Sequence, residues 1–544
     1  MHANLDKQGF CDVVRRARAG EGVPKGGGPL LVTVGVRLLA DQLTPVLAYR
    51  RLVHADERTD PSFLFESVEG GERVGRHSIM GAQPVVEVIA HKNRVRLLDR
   101  RRGHEHLEER EVQDPFAIPR ELTNELRLVP REMCNASALP ACFTGGWTGF
   151  ASYDTVRFAE PGKLPWAGAP RDDRELPDLH MAMYDRVVVF DHVDKVVHVV
   201  VTAEVGAADD AAERYESAMA LIARTVRAIE SHTTPLPAGV LERSERGALV
   251  ANMPASNMTR ETHAEMVERA KSYIRAGDIF QVVLGQRFEK VSRADPFDVY
   301  RALRAVNPSP YMVYMQGSGT ILVASSPEIL CRVSREADGS MRVTNRPLAG
   351  TRRRGDSEEE DKALERDLLD DAKERAEHIM LVDLGRNDVG KVADPASVRL
   401  DAAFEIERYS HVMHISSTVT GVLHEGLDAW DALRAALPVG TISGAPKVRA
   451  MQIIDELEPI RRGPYGGGMG AIGFDGQMDV ALALRTIVVP ASRHDGTNWT
   501  YHVQSAGGIV FDSDAGAEYD ETVNKAAAMV EAIVCAERAF AARD

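Results

Sequence analysis

Two acidic pairs stand out in this chain, Glu374 with Glu377 and Glu518 with Glu521. Spacing of three puts both members of a pair on one helix face, where like charges repel mildly unless a cation lies between them. Hard oxygen donors from separate elements, with positions left for water and substrate, suit Mg2+. An ordinary surface face is the other reading, with Lys373, Arg375 and Lys525 close enough for salt bridges. Arg485 lies inside the apolar run 480–489. A guanidinium keeps its proton, so a buried one needs an anion. A ligand carboxylate bound in bidentate fashion would serve; so would an internal Asp or Glu, or an edge where the head reaches water.

Gln281 interrupts the apolar strand 279–284, and its amide needs hydrogen bonds from protein or ligand. His414, in the word 410–416, alternates with apolar neighbours and can point inward, as a core histidine or a functional one. Tyr465 with Gly466–Gly468, and the pair Gly507–Gly508, are tight turns or places where backbone approaches a ligand. Two patterns are set aside. Gly468-Met-Gly-Ala-Ile-Gly473 has the dinucleotide spacing, but no strand precedes it and a turn follows. Gly440-Thr-Ile-Ser-Gly-Ala-Pro-Lys447 is one spacer short of a phosphate loop and lacks the Ser or Thr after Lys447. Arg352-Arg353-Arg354 reads as a solvated loop sooner than as a binding patch.

The elements that must hold these residues follow from periodicity. Residues 30–36 and 46–52 read as strands. A helix over 211–229 has Tyr215, Met219, Ile222 and Val226 on one stripe. Breaker-rich stretches at 20–29 and 233–247 mark a lead-in and the main boundary, giving segments 1–245 and 246–544. The second opens with a helix striped by Met266, Ala270, Tyr273 and Ile274 and stopped by Gly277. One long helix is expected over 358–384, ended by Gly385. Another follows Pro446, strands over 480–489 and 501–504, and a closing helix over 518–538. No internal repeat is visible. These elements predict an α+β fold, with mixed or antiparallel sheets packed against helices.

Composition narrows the function. The 544 residues carry 66 Lys+Arg against 81 Asp+Glu, a net charge of −15. Such a chain binds nucleic acid poorly without a local basic patch, and an anionic substrate in it needs a metal or placed arginines. Five cysteines, an odd number with no C-x-x-C pair, point to a reducing compartment. There is no run of about 18 apolar residues to span a membrane. The first thirty residues carry Asp6, Asp12 and Glu21 and have no apolar core, unlike a signal peptide. A soluble cytoplasmic protein is expected.

Taken together, these segments resemble the chorismate-utilising enzymes, specifically the anthranilate synthase large subunits (component I). The matching words include Gly277-Asp-Ile-Phe-Gln-Val-Val283, Asn307-Pro-Ser-Pro-Tyr-Met312, Ser326-Pro-Glu-Ile-Leu330, Arg346-Pro-Leu-Ala-Gly-Thr-Arg352 and Glu521-Thr-Val-Asn-Lys-Ala526. The helix word 373–384, Gly440 to Lys447, Phe65-Glu-Ser67 and Phe143-Thr-Gly-Gly-Trp147 match as well, in order, over about residues 40–535.

The resemblance implies that fold and a dicarboxylate substrate, chorismate, turned with ammonia into anthranilate and pyruvate on the tryptophan pathway. It makes Glu377 and Glu521 the Mg2+ ligands, with Glu374 and Glu518 in support. Arg485 and Tyr465 become a clamp on the enolpyruvyl carboxylate, helped by backbone at Ala506, Gly507 and Gly508. Thr441, Gly350 and Thr351 become further substrate contacts. Glu328 is the implied general acid for the hydroxyl leaving ring carbon 4, which requires burial to raise its pKa. His414 is the residue implied for the second step, the loss of pyruvate. Isochorismate and salicylate synthases carry Lys at the place of Gln281, to activate water; aminodeoxychorismate synthases typically carry Lys at that of Ala349. Both positions here favour anthranilate. With no nucleophile-elbow cysteine of an amidotransferase, the chain implies a separate glutamine amidotransferase subunit (component II) as ammonia source. Glu66, Ser67, Pro310, Tyr311 and Met312 match the family's tryptophan-inhibition site; packing of a domain junction is the alternative. The rivals are an aminodeoxychorismate synthase and a catalytically silent tryptophan-binding subunit.

Overall fold

Runs rich in Val, Ile and Leu build two sheets of twelve strands each, laid face to face. The computed structural model describes residues 2–23, 26–39, 41–54, 58, 60–67, 75–101, 103–232, 235–244, 246–409 and 412–540. Parts of the two breaker-rich stretches (Pro24, Lys25, Thr233, Thr234 and Glu245), and Ser410 and His411 of the word before His414, lie outside the described residues.

The first sheet runs, in spatial order, through Gly444–Ala445, Gln281–Ser292, Trp499–Ile509, Thr486–Pro490, Thr320–Ser326, Tyr311–Gly317, Ser62–Glu66, His77–Ala82, Arg186–Asp191, Val196–Val205, Leu30–Leu39 and Arg127–Leu128. The second runs through Leu348–Arg353, Val412–Val422, Met341–Asn345, Ile329–Arg335, Met478–Leu482, Gly468–Gly473, Gly146–Ala151, Leu179–Tyr184, Val86–His91, Arg94–Asp99 and His106–Glu111, with Arg399–Arg408 also paired on Val412–Val422. Only the two-residue strand Arg127–Leu128 pairs in parallel among these.

Alternate side chains of the two inner faces meet in one core. Phe63, Val189, Val313 and Leu322 come from the first sheet, and Phe150, Ala182, Met469 and Ala481 from the second. The outer face of the first sheet is covered by helices Lys7–Arg18, Ala211–Glu230, Pro296–Val306 and Ala515–Phe540. That of the second is covered by Ala372–Gly390 and Ala429–Ala436, while Lys447–Leu457 packs against Gln281–Ser292 and Gly444–Ala445 at the edge of the first sheet. The expected α+β class is therefore formed as four layers, helix–sheet–sheet–helix. Both sheets take strands from either side of residue 245, so segments 1–245 and 246–544 succeed each other in the chain but share both cores. No helix of the described residues is long and apolar enough to cross a membrane.

Local expectations needed four corrections. Residues 46–52 form part of helix Pro45–Leu52, not a strand; Thr44 caps it by accepting from the Leu47 amide at 3.2 Å. A short apolar run has no decisive period, and the Thr-Pro start decides it. The helix over 358–384 is two, Glu358–Asp370 and Ala372–Gly390. Between them Asp371 leaves helical geometry and accepts from the Lys373 and Glu374 amides. The apolar run 480–489 is also two strands, Met478–Leu482 and Thr486–Pro490, one in each sheet. The arginine run 352–354 is ion-paired: Arg352 to Asp367 and Asp371, Arg353 to Glu360, Arg354 to Asp361.

Candidate active site

The carboxylate pairs meet the sheet at one spot. Helix Ala372–Gly390 carries Glu374 and Glu377, helix Ala515–Phe540 carries Glu518 and Glu521, and Gly507–Gly508 end the strand Trp499–Ile509 between them. A Cβ at Gly508 would lie 2.5 Å from Gln281 Nε2 and 3.6 Å from Glu377 Oε1. A Cβ at Gly507 would lie 3.1 Å from Glu518 Oε2 and 3.9 Å from Glu521 Oε1. The bare backbone therefore lets acidic side chains close in from both sides. Gln281 Nε2 donates to Glu377 Oε1 at 2.9 Å, Lys525 pairs with Glu521 at 2.6 Å, and Arg352 stands 3.7 Å from Glu374.

Repulsion within each pair is visible. Burial, then Glu377, raises the Glu374 pKa; burial first, with Glu521 adding, raises that of Glu518. Glu518 Oε2 is buried without a hydrogen-bond partner. No three or more His, Cys, Asp or Glu among the described residues are grouped closely enough to hold a metal as they stand. The donors remain hard oxygens in two mutually repelling pairs, one with an orphaned oxygen. That chemistry fits a divalent cation such as Mg2+.

Glu328 sits where the first sheet's strand Thr320–Ser326 hands over to Ile329–Arg335 of the second. It is 3% exposed, and burial pushes its carboxyl up to about 8, against hydrogen bonds from the Thr441 hydroxyl and the Leu348 amide. Thr441 Oγ1 donates to Glu328 Oε1 at 3.1 Å from the short helix Gly440–Ser443. The group is an acid holding its proton at neutral pH.

His414, on strand Val412–Val422, is the complementary group. Its Nδ1 donates to the Gly350 carbonyl at 2.8 Å and lies 3.0 Å from Thr351 Oγ1. That leaves Nε2 unprotonated, buried and without a partner. Burial, then Arg485, pushes the imidazole down to about 4, so it is a neutral base at pH 7. Gly350 and Thr351 thus orient this ring, a role the sequence did not suggest for them.

Arg485 stands at the crossing where the chain passes from Met478–Leu482 in the second sheet to Thr486–Pro490 in the first. Its φ is 45°, a left-handed geometry that strains a non-glycine residue and that clusters at functional sites. It is half-buried, its charge near enough to act on His414. Tyr465 is buried, its hydroxyl in contact with the Ala506 backbone. One residue escaped the sequence reading. Arg462, under 2% exposed, donates to the Ile442 carbonyl at 2.6 Å, the Val283 carbonyl at 2.7 Å and Glu458 Oε2 at 2.9 Å. It ties the Thr441 segment to the Gln281 strand. No local signal announced it, because Glu458 and Arg462 lie past the end of helix Lys447–Leu457 and meet only through the fold.

Glu66, Ser67, Pro310, Tyr311 and Met312 line one cavity of about 470 Å3. The Glu66 carboxylate there accepts from the Tyr300 hydroxyl at 2.6 Å and lies 2.8 Å from Arg304.

Comparison with known proteins identifies the family. A model of the chorismate binding enzyme family matches residues 60–531. Anthranilate synthase alpha subunit 1, chloroplastic, of Arabidopsis thaliana is 51% identical over 518 residues, covering 92% of this chain and 85% of the relative. Anthranilate synthase component 1 of Pseudomonas aeruginosa is 43% identical, covering 93% and 96%. The crystal structure of anthranilate synthase component I from Streptococcus pneumoniae TIGR4 superposes with a TM-score of 0.68 at 33% identity, over 90% of this chain and 98% of that one. The Escherichia coli isochorismate synthase MenF shares the fold, at a TM-score of 0.65 and 16% identity. The chain belongs to the chorismate binding enzyme family, within its anthranilate synthase component I group.

Proposed function

We propose that this protein is a Mg2+-dependent lyase, the large subunit of an anthranilate synthase, converting chorismate and ammonia to anthranilate and pyruvate. The carrying observation is the opposed pair of a carboxyl that keeps its proton to about 8 and an imidazole that stays neutral down to about 4. Such a split serves a reaction needing an acid first and a base second.

In this reading Arg485 and Tyr465 hold the enolpyruvyl carboxylate. Glu377 and Glu521 would hold Mg2+, with Glu374 and Glu518 in support; the bound cation supplies positive charge for the ring carboxylate. Glu328 gives its proton to the hydroxyl leaving ring carbon 4, which departs as water while ammonia bonds to ring carbon 2. Thr441 keeps the acid oriented. His414 Nε2 then takes the proton from ring carbon 2. The bond from ring carbon 3 to the enolpyruvyl oxygen breaks, enolpyruvate leaves and takes up a proton on its methylene carbon to become pyruvate, and the ring becomes aromatic. Gln281 offers no base for water, and the buried Ala349 offers no amine, which favours ammonia at ring carbon 2 over aminodeoxychorismate chemistry.

A glutamine amidotransferase subunit is the ammonia source in this reading, and tryptophan the inhibitor at the cavity of Glu66 and Tyr311. Five unpaired cysteines support a reducing compartment such as the cytoplasm; the plant relatives are chloroplastic. The test is an ammonium-dependent assay of the isolated chain, by anthranilate fluorescence and product mass, with and without Mg2+ and tryptophan. A silent chain, or an aminodeoxychorismate product, sinks the reading. Retained tryptophan inhibition in both Ser67→Phe and Tyr311→Ala excludes the cavity as the inhibitor site.

A further inference from the structure

The cavity lined by Glu66 and Tyr311 does not end there. Its wall continues through Pro327, Ile329, Leu348, Glu407 and Tyr409, and each of these adjoins a catalytic group. Pro327 and Ile329 flank Glu328 in the chain, and the Leu348 amide bonds to its carboxylate. Glu407 is the cross-strand partner of His414 in the ladder between Arg399–Arg408 and Val412–Val422. Cross-strand partners project from the same face. Tyr409, two residues on, sets its ring 5.6 Å from that of His414, tilted by 60°. The Tyr409 hydroxyl donates to Glu407 Oε2 at 2.7 Å, and Arg346 holds the other oxygen at 2.6 Å.

We propose that Glu407 and Tyr409 couple the cavity to the active site: Tyr409 is a positioning residue for the His414 ring, and Glu407, part of the cavity wall, sets the place of Tyr409. The proposal rests on the reading that this cavity takes tryptophan. A ligand filling the inner end must contact a side chain that holds Tyr409, so occupancy reaches His414 through two contacts rather than across an entire domain. Coupling of this kind works only if the ligand favours one arrangement of the linked groups over another.

The experiment uses the full-length chain, with tryptophan as probe. Tryptophan binding is measured by calorimetry; ammonium-dependent turnover is followed as anthranilate and as the released amino intermediate. Tyr409→Phe removes the hydroxyl and keeps the ring. It is expected to bind tryptophan within about threefold of the unaltered chain, yet to retain about tenfold more activity at saturating tryptophan. Without inhibitor, kcat should fall with KM for chorismate unchanged, and the released intermediate should rise, because His414 is less firmly placed. Glu407→Ala should behave alike, whereas Glu407→Gln, which still offers an acceptor oxygen, should restore inhibition. Full inhibition with normal binding in Tyr409→Phe, or in Glu407→Ala should the first variant not fold, overturns the coupling. Absence of tryptophan binding to the unaltered chain overturns the cavity reading itself, and the coupling with it.

Discussion

Gln281 Nε2 donates to Glu377 Oε1 across 2.9 Å, joining residues 96 positions apart. The residue that distinguishes an ammonia user from a water user in the family resemblance thus touches a proposed metal ligand. In Gln281→Lys an ammonium would face that carboxylate and compete with a cation. Anthranilate formation, followed by fluorescence, is expected to fall by about 10²-fold; an unchanged rate would show that the uncharged amide is not what suits the site to ammonia.

Glu328 gives two linked outcomes. Activity as kcat/KM, corrected for the free ammonia fraction, should fall above about 8 as the acid loses its proton, and below about 4 as His414 gains one. Stability follows the proton count. Between the ordinary 4.5 and about 8 the folded carboxyl binds a proton that the unfolded one has released, so stability contributed at this site declines as pH rises through that window. Glu328→Gln should therefore be nearly inactive, yet melt at a higher temperature than the unaltered chain at pH 8. A lower melting point there means the carboxyl is ionised in the fold.

His414→Ala should separate the two chemical steps. The acid and clamp remain, so ammonia still adds, but no base stands where Nε2 stood. Anthranilate output should drop by about 10²–10⁴-fold while the amino intermediate accumulates, as read by mass spectrometry. Unchanged anthranilate output would exclude His414 as the base.

The supporting carboxylates should tune cation affinity rather than chemistry. Glu374→Gln and Glu518→Gln remove the two carboxyls whose pKa burial, and then the partner carboxylate, already raises. Each should raise the half-saturating Mg2+ concentration about tenfold or more, with kcat nearly restored at high Mg2+. Calorimetric Mg2+ titration gives the same comparison without turnover. Equal Mg2+ affinity in both variants would remove these side chains from the metal site.

Gly508→Ala tests the closeness of backbone and ligands. The added methyl would lie 2.5 Å from Gln281 Nε2 and must displace it from Glu377. A stability loss of about 1–3 kcal/mol is expected from the denaturation midpoint, with Mg2+ affinity lowered as well. Tolerance without either change would mean that this strand end yields freely.

What the sequence determined by itself was whatever repeats over a few residues or is spelled in a short word. The stripes of 211–229 and 260–275 are local, and so is the spacing of Glu374 with Glu377 and Glu518 with Glu521; helix geometry alone converts them into faces. The family words carried the site by resemblance. Tertiary structure alone decided which of two local options won and what met across the chain. The run 480–489 has one apolar pattern, yet it is divided because both sheets bury strands there, which puts Arg485 at their crossing. The orientation of His414 by the Gly350 carbonyl, and the pairing of Glu407 with Tyr409 behind it, use contacts that no residue type announces. Backbone acceptors are present at every position, and only long-range strand order selects which of them faces the His414 ring.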